Sequence, residues 1–241
     1  MYISNKDIRT RARYLLDDNI FGKDWSKSVL LNIIVVLVAA TVGSVLAIVS
    51  GTFFGAILGF FTSFLGEITW LNIVVIILLF FVSALIVGLL LGPIAVGLAA
   101  VHLELVRGSG KIQIGLFFEG FNHLIENMQL GLMFVLHILV WAVLAIIPGV
   151  YMSHSYAMVF YVKHDNPDLN WQQCFDESER LMEGNRWRLY QLRTSFIGWY
   201  VTGIVAFFGL GVFWVAPYTC VSEAIFYDAI LQEKELEEYV M

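Results

Sequence analysis

The sequence predicts an all-α protein: a polytopic transmembrane helical bundle of about six crossings, with Pro/Gly-turned hairpins, cytoplasmic N- and C-termini and interfacial amphipathic helices. Three observations lead there. The chain is 59% hydrophobic and 14% charged, whereas a soluble domain is about 45–50% apolar and about 25% charged. Four stretches, residues 28–66, 68–101, 127–162 and 194–222, contain no Asp, Glu, Lys or Arg, and each exceeds the roughly 20 residues of a spanning helix. The basic residues cluster between these stretches. A water-soluble fold of 241 residues has too little interior to hide so much apolar surface, which lipid accepts. A net charge of −6 and a pI near 5.3 argue against a nucleic-acid partner, and abundant aromatics argue against disorder.

The whole chain, 1–241, reads as one membrane domain. Its N-terminal segment, 1–27, is cytoplasmic and amphipathic. Ile8, Ala12, Leu15 and Leu16 recur at helical spacing opposite Lys6, Arg9 and Arg13, so residues 4–20 form a helix, with Ser4 as cap and Asp7 as a short capping-box partner. Its apolar face suits either the inner leaflet or the bundle itself. The first apolar run, 29–49, is longer than a signal-peptide core and is expected to stay in the membrane.

The positive-inside rule sets the number of crossings. Six of the fourteen Lys and Arg precede the first window, Arg107 and Lys111 follow the second, and Lys163, Arg180, Arg186, Arg188 and Arg193 lie between the third and fourth. One crossing per window would put that last group outside. Hairpins turning at Pro148-Gly149 and at Pro217 return it to the cytoplasm. The crossings are then about 28–50, 70–92, 128–147, 149–163, 194–215 and 217–231, followed by an acidic tail, 232–241. The Gly- and Phe-rich stretch 51–66 reads as interfacial, with a crossing of its own (eight in all) as the alternative. Pro93, Pro148 and Pro217 also align three segments as an internal repeat, in which Pro93 would be an outer turn.

A second surface helix, within 166–184, starts after Asn166-Pro167 and carries an apolar stripe of Cys174, Phe175, Ser178, Leu181 and Met182. Gly184 ends it. Arg186, Trp187, Arg188 and Arg193, with Arg9, Arg13 and Trp25, are the candidate interfacial lipid anchors, because basic and indole groups collect at headgroup level. Cys174 and Cys220 read as free thiols.

No Walker, Rossmann, Gly-x-Ser-x-Gly or His-Glu-x-x-His pattern occurs. His102 and Glu104 stand on different helix faces, so no metal pair is expected there. Ionisable groups at membrane depth remain. His137 falls mid-crossing, and His154 and Glu223 each lie six residues after a hairpin proline. With Ser153, Tyr156 and Ser222 they define a candidate intramembrane polar site. It serves either as a proton-linked track or as interhelical hydrogen bonding.

In order along the chain come Trp141-Ala-Val-Leu-Ala-Ile-Ile-Pro-Gly149, Ser155-Tyr156-Ala-Met, Asp165-Asn-Pro, Met182-Glu-Gly-Asn-Arg-Trp187, Ser195-Phe-Ile-Gly-Trp199, Gly209-Leu-Gly, Pro217-Tyr218 and Phe226-Tyr227. Together they resemble the uncharacterised integral membrane family of Firmicutes known as domain of unknown function 975, in detail over 91–231. The resemblance implies a bacterial plasma-membrane protein without an established activity. Arg193 departs from it, standing where an acidic or small residue is expected. The function expected is a non-enzymatic, multi-pass module acting through membrane lipids, another membrane protein or a homo-oligomer, in an accessory, assembly or immunity-type role. It requires no cofactor or metal. The alternative is a small proton-linked transporter or channel using His137, His154 and Glu223.

Overall fold

The computed structural model describes residues 3–16, 22–37, 69–108, 111–144, 146–206 and 209–240, with isolated positions at 40, 41, 44, 55, 59 and 63. Most of the first expected crossing beyond residue 37, nearly all of the 51–66 stretch and Glu67 lie outside the described residues. The described residues form helices and no strand. In chain order they are α1 (Asn5–Leu15), α2 (23–37), α3 (Thr69–Arg107), a 3₁₀ segment (Ile114–Phe121), α4 (Leu124–Leu144), α5 (Ile146–Ser155), α6 (Val159–Asp165), α7 (Trp171–Met182), α8 (Arg186–Thr194), α9 (Ile197–Ala206) and α10 (Val212–Val240).

The molecule is organised along α3, whose 39 residues make a rod of about 58 Å. Its N-terminal half exposes Trp70, Val74, Ile77, Leu78, Phe81, Val82, Val87 and Leu90. Its C-terminal half buries Val96, Ala99, Ala100, Val101, Leu103, Leu105 and Val106. One helix therefore passes from an apolar surface into a packed core. Pro93 lies inside it, so the crossing does not end at 92 and Pro93 is no outer turn. One missing N–H is tolerated where good helix formers continue on both sides.

The other two prolines also lie within helices, which corrects both expected hairpin turns. Pro148 is the third residue of α5, where its missing N–H has no intrahelical partner to lose. The chain does double back there, but between α4 and α5: Phe134 meets Phe160 at 5.0 Å and His137 meets Tyr156 at 5.6 Å between ring centroids. Pro217 is inside α10. The last reversal is made instead at Gly209, whose φ of +87° is a left-handed conformation that glycine adopts freely. It brings Gly203 against Gly211, where a Cβ on Gly203 would fall 2.9 Å from the main-chain carbon of Gly211. Three prolines in three different helical settings do not share one hairpin geometry, so the aligned repeat has no structural counterpart.

Residues 217–231 are not a lipid-facing crossing. Val221, Ala224, Ile225, Phe226 and Ile230 are completely buried, where α10 packs on α1, α3, α7, α8 and α9. An apolar run looks the same in sequence whether protein or lipid covers it. The fourth expected crossing, 149–163, is likewise broken into α5 and α6. At the break, the Met158 N–H donates to Ser178 Oγ (3.2 Å), and that hydroxyl donates to the Ser155 carbonyl (2.8 Å). α7 thereby fixes the joint.

Local expectations fare better. The Ser4 hydroxyl accepts the Asp7 N–H at 3.2 Å and donates to the Asp7 carboxylate at 2.7 Å. The apolar face of α1 is spoken for by the bundle rather than the leaflet: Ile8, Ala12 and Leu16 are fully buried, with α10 as the main neighbour. α7 buries the five stripe residues that the sequence singled out, but it starts later, at a capping box in which Asn170 and Gln173 cap each other's backbone N–H.

Candidate functional site

The charged groups of distant segments meet at one end of the bundle, around the C-terminal ends of α3 and α6. Arg107, on the last turn of α3, forms hydrogen-bonded ion pairs with Asp165 of α6 (2.8 Å) and Asp228 of α10 (2.8 Å). The Tyr227 hydroxyl donates to Asp165 (2.9 Å). Lys163, only 2% exposed, spends its three ammonium protons on Glu126 (2.7 Å) and on the carbonyls of Pro167 (2.6 Å) and Leu169 (2.8 Å). It thus ties the start of α4 to the loop before α7. Arg188 donates to both oxygens of Glu233, to Asn185 Oδ1 and to the Ile3 carbonyl. Arg193 pairs with Glu223 through two hydrogen bonds, at 2.7 and 3.2 Å. Lys163 and Arg188 are buried, and buried charges persist where paired and hydrogen-bonded.

These contacts redistribute the candidate polar site. His137 and Tyr156 do come together, within an aromatic cluster: the imidazole lies 4.6 Å from Phe175 and 6.2 Å from Trp171, and its Nδ1 is 2.8 Å from the Met133 carbonyl. Met133 is one turn back on the same helix, so Nδ1 carries the proton and donates. His154 lies beside Ser153 (3.4 Å) and 5.8 Å from the Tyr190 ring. Glu223 is held by Arg193, and Ser222 donates to the Tyr218 carbonyl (2.7 Å). The reversals lie at other distances from the prolines than expected, so His154 and Glu223 do not share matching positions in related hairpins. The three groups occupy three environments.

Of the seven expected anchors, Trp187 presents its ring freely: it is 66% exposed and stacks on Tyr190 at 5.0 Å. Arg186 lies over the Tyr151 ring at 4.6 Å, donates to its hydroxyl and reaches Glu179. Trp25 is buried, and its indole N–H donates to the Trp214 carbonyl (2.9 Å) in the stretch of α10 that Pro217 interrupts. Arg13 donates to the Tyr218 hydroxyl (3.1 Å) with its guanidinium over that ring. Arg9 is partly buried, its Nε bonded to no described residue and its carbonyl accepting from Tyr218. Arg188 and Arg193 hold helices together rather than facing headgroups. Arg107, Lys163, Asp165, Asp228 and Glu233 escaped the sequence reading because each partner lies tens of residues away. Asp165 alone carried a signal, as part of the Asp165-Asn-Pro motif.

His102 is buried in α3, with Nδ1 on the Leu98 carbonyl (2.7 Å) and Nε2 on Ser28 Oγ (3.3 Å) of α2. No group of three or more His, Cys, Asp or Glu among the described residues is positioned to hold a metal ion. Both cysteines are free. Burial pushes the Cys174 thiol up to about 11, which leaves about a thousandth as thiolate at pH 8, the form that alkylates. Native protein is therefore expected to react with iodoacetamide at Cys174 at least about 100-fold more slowly than a free cysteine at pH 8. Peptide mass spectrometry before and after denaturation checks this, and equal rates in the two states would contradict the buried placement.

The class is then an all-helical protein in which, among the described residues, two helices are long and apolar enough to cross a membrane, Phe81–Arg107 and Leu124–Trp141, gathered on a base of ion pairs. Residues 126–234 match the family described as Protein of unknown function (DUF975). The match runs from the first turn of α4 into the last turns of α10. No curated protein and no solved structure matches the chain.

Proposed function

We propose that this is a non-enzymatic, multi-pass membrane module of the bacterial plasma membrane, acting through lipids or protein partners. One observation carries the reading. Arg11 donates to the Val106 carbonyl, Arg188 to Ile3 and Glu233, Arg107 to Asp165 and Asp228, and Lys163 to Glu126, so the basic segments of the chain converge on one base, while exposed apolar side chains line α3 and α9 away from it. Positive charge gathered on one side is the signature of a cytoplasmic face, and so large an exposed apolar surface belongs in lipid.

In this reading the termini and the 163–193 segment are cytoplasmic, α3 and α4 span the bilayer, and α5 returns towards the base. The last hairpin is shallower than a full crossing: the ten residues of α9 reach about 15 Å, half of a roughly 30 Å hydrocarbon core. The aromatic and basic surface of Tyr151, Arg186, Trp187 and Tyr190 meets headgroups. Since Arg193 neutralises Glu223, the base works as a scaffold that holds the helices together.

The test is Asp168→Cys, at an exposed loop position, probed with a membrane-impermeant maleimide. Labelling only after permeabilisation of cells is expected, with the native chain as blank. Labelling in intact cells would overturn the orientation. Co-purification of proteins and lipids in mild detergent then identifies what the module acts through.

A further inference from the structure

The 3₁₀ segment Ile114–Phe121 and the first turn of α4 leave a cluster of large apolar side chains uncovered. Phe118 is 65% exposed and Ile125 73%, with Phe121 and Leu124 also exposed. Phe118 and Phe121 are three residues apart, which eclipses them on a 3₁₀ segment. With Phe117 they form a ring cluster with centroids 5.7, 5.9 and 6.4 Å apart.

The segment is not a loose loop. Its backbone is pressed onto α3: a Cβ on Gly97 would overlap the main-chain oxygen of Phe117, and one on Gly120 would overlap the Pro93 carbonyl. Asn127 Nδ2 donates to the Gly120 carbonyl (2.7 Å), and the Ile112 N–H donates to Asp24 (3.1 Å). Rigid attachment holds the phenyl groups of Phe118 and Phe121 out from the bundle, where among the described residues they stay exposed. Around them lie exposed polar groups: Lys111, Gln113, Glu119, Asn122 and His123.

We infer that this segment is a wedge that inserts Phe118, Phe121, Leu124 and Ile125 into the acyl–headgroup boundary of the leaflet next to the base. The reading rests on the membrane placement proposed above. Two features select lipid as the occupant. The exposed cluster leads, past Glu126 and its Lys163 partner, into Leu124–Trp141, a helix long and apolar enough to cross a membrane, so its depth follows from that of α4. The flanking Lys111 and His123 also stand where anionic headgroups would meet them. Aromatic and aliphatic side chains on one face with polar groups on the other are the composition of interfacial segments. Because Gly97, Gly120 and Asn127 lock the wedge to α3 and α4 together, it sets the depth at which both helices sit.

The test uses the full chain in phosphatidylcholine–phosphatidylglycerol vesicles, carrying a nitroxide at Phe118→Cys or, separately, at Ile125→Cys. The unsubstituted chain serves as blank, and Ile77→Cys on the exposed half of α3 as reference. Power saturation with oxygen and with nickel–EDDA reads the depth. The wedge predicts that oxygen relaxes the labels at 118 and 125 more than nickel does, as at 77, though with a smaller ratio because they lie nearer the headgroups. Nickel-dominated relaxation at 118 and 125 with oxygen-dominated relaxation at 77 would overturn the wedge and leave the membrane reading standing. Nickel-dominated relaxation at all three would overturn both. Ile125 is so exposed that its substitution leaves the packing alone, which covers the case in which Phe118→Cys fails to fold.

Discussion

Gly92→Ala is expected to be among the most damaging single substitutions in this protein. A Cβ at position 92 would overlap the main-chain oxygen and carbon of Asn127, and one at Gly131 would overlap the backbone of Gly88 and Gly92. The obstacle is main chain on both sides, so no rotamer change relieves it, and α3 and α4 must move apart. Overpacking of this kind costs about 1–3 kcal/mol and occasionally more. Here the upper end is expected. In the membrane placement proposed above, the two helices would gain little from the hydrophobic effect on association and would depend on close van der Waals contact. Displacing Asn127 would also loosen its hydrogen bond to Gly120. Gly198→Ala is the control, because nothing lies within 4 Å of a Cβ there, and a helical glycine replaced by alanine gains up to about 1 kcal/mol. Thermal unfolding in detergent, followed by tryptophan fluorescence, distinguishes the two. Equal melting temperatures would show that the α3–α4 contact is looser than described.

Arg107→Leu is expected to cost about 3 kcal/mol, the lower end of the range for breaking a buried ion pair by removing one partner, since the guanidinium keeps 34% of its side-chain surface exposed. The loss arises from what remains: Asp165 and Asp228, now without a cation, on helices α6 and α10 that Arg107 had drawn together. Adding Asp228→Asn to Arg107→Leu should recover part of the stability. Asp228→Asn alone should be destabilising, because it breaks the Arg107 pair. Chemical unfolding of the single and double variants gives the coupling between the two residues. Simple additivity would mean that the pair contributes nothing as a unit.

The two glycines and the arginine differ in how far they could be read in advance. Gly88, Gly92 and Gly203 each face a neighbouring backbone, a contact that depends on which helix lies alongside. Gly198 faces open space. The Ser4 cap and the stripe of α7 were legible because their partners lie within four residues. The family match over 126–234 agrees with the ordered motifs. Pro93 and Pro217 misled because a proline marks a local irregularity without saying whether the chain reverses there, and both lie inside a continuous helix, whereas Pro148 stands in the first turn after a reversal. The candidate polar site failed as a unit for a related reason: Glu223 was read without its partner, and Arg193 lies thirty residues earlier.

By itself the sequence determined composition and period: helices, their caps, an apolar excess beyond what a soluble core can absorb, and basic residues kept apart from apolar runs. These depend on interactions within one or two helical turns or on the chain as a whole. Tertiary structure alone decided which apolar run is covered by protein, as in α10, and which is left bare, as on the first half of α3, since burial by either medium favours the same side chains. It also decided which carboxylate meets which cation, because Coulomb attraction depends on distance in space, and the helices bring Arg107 to Asp165 and Asp228 across long stretches of chain.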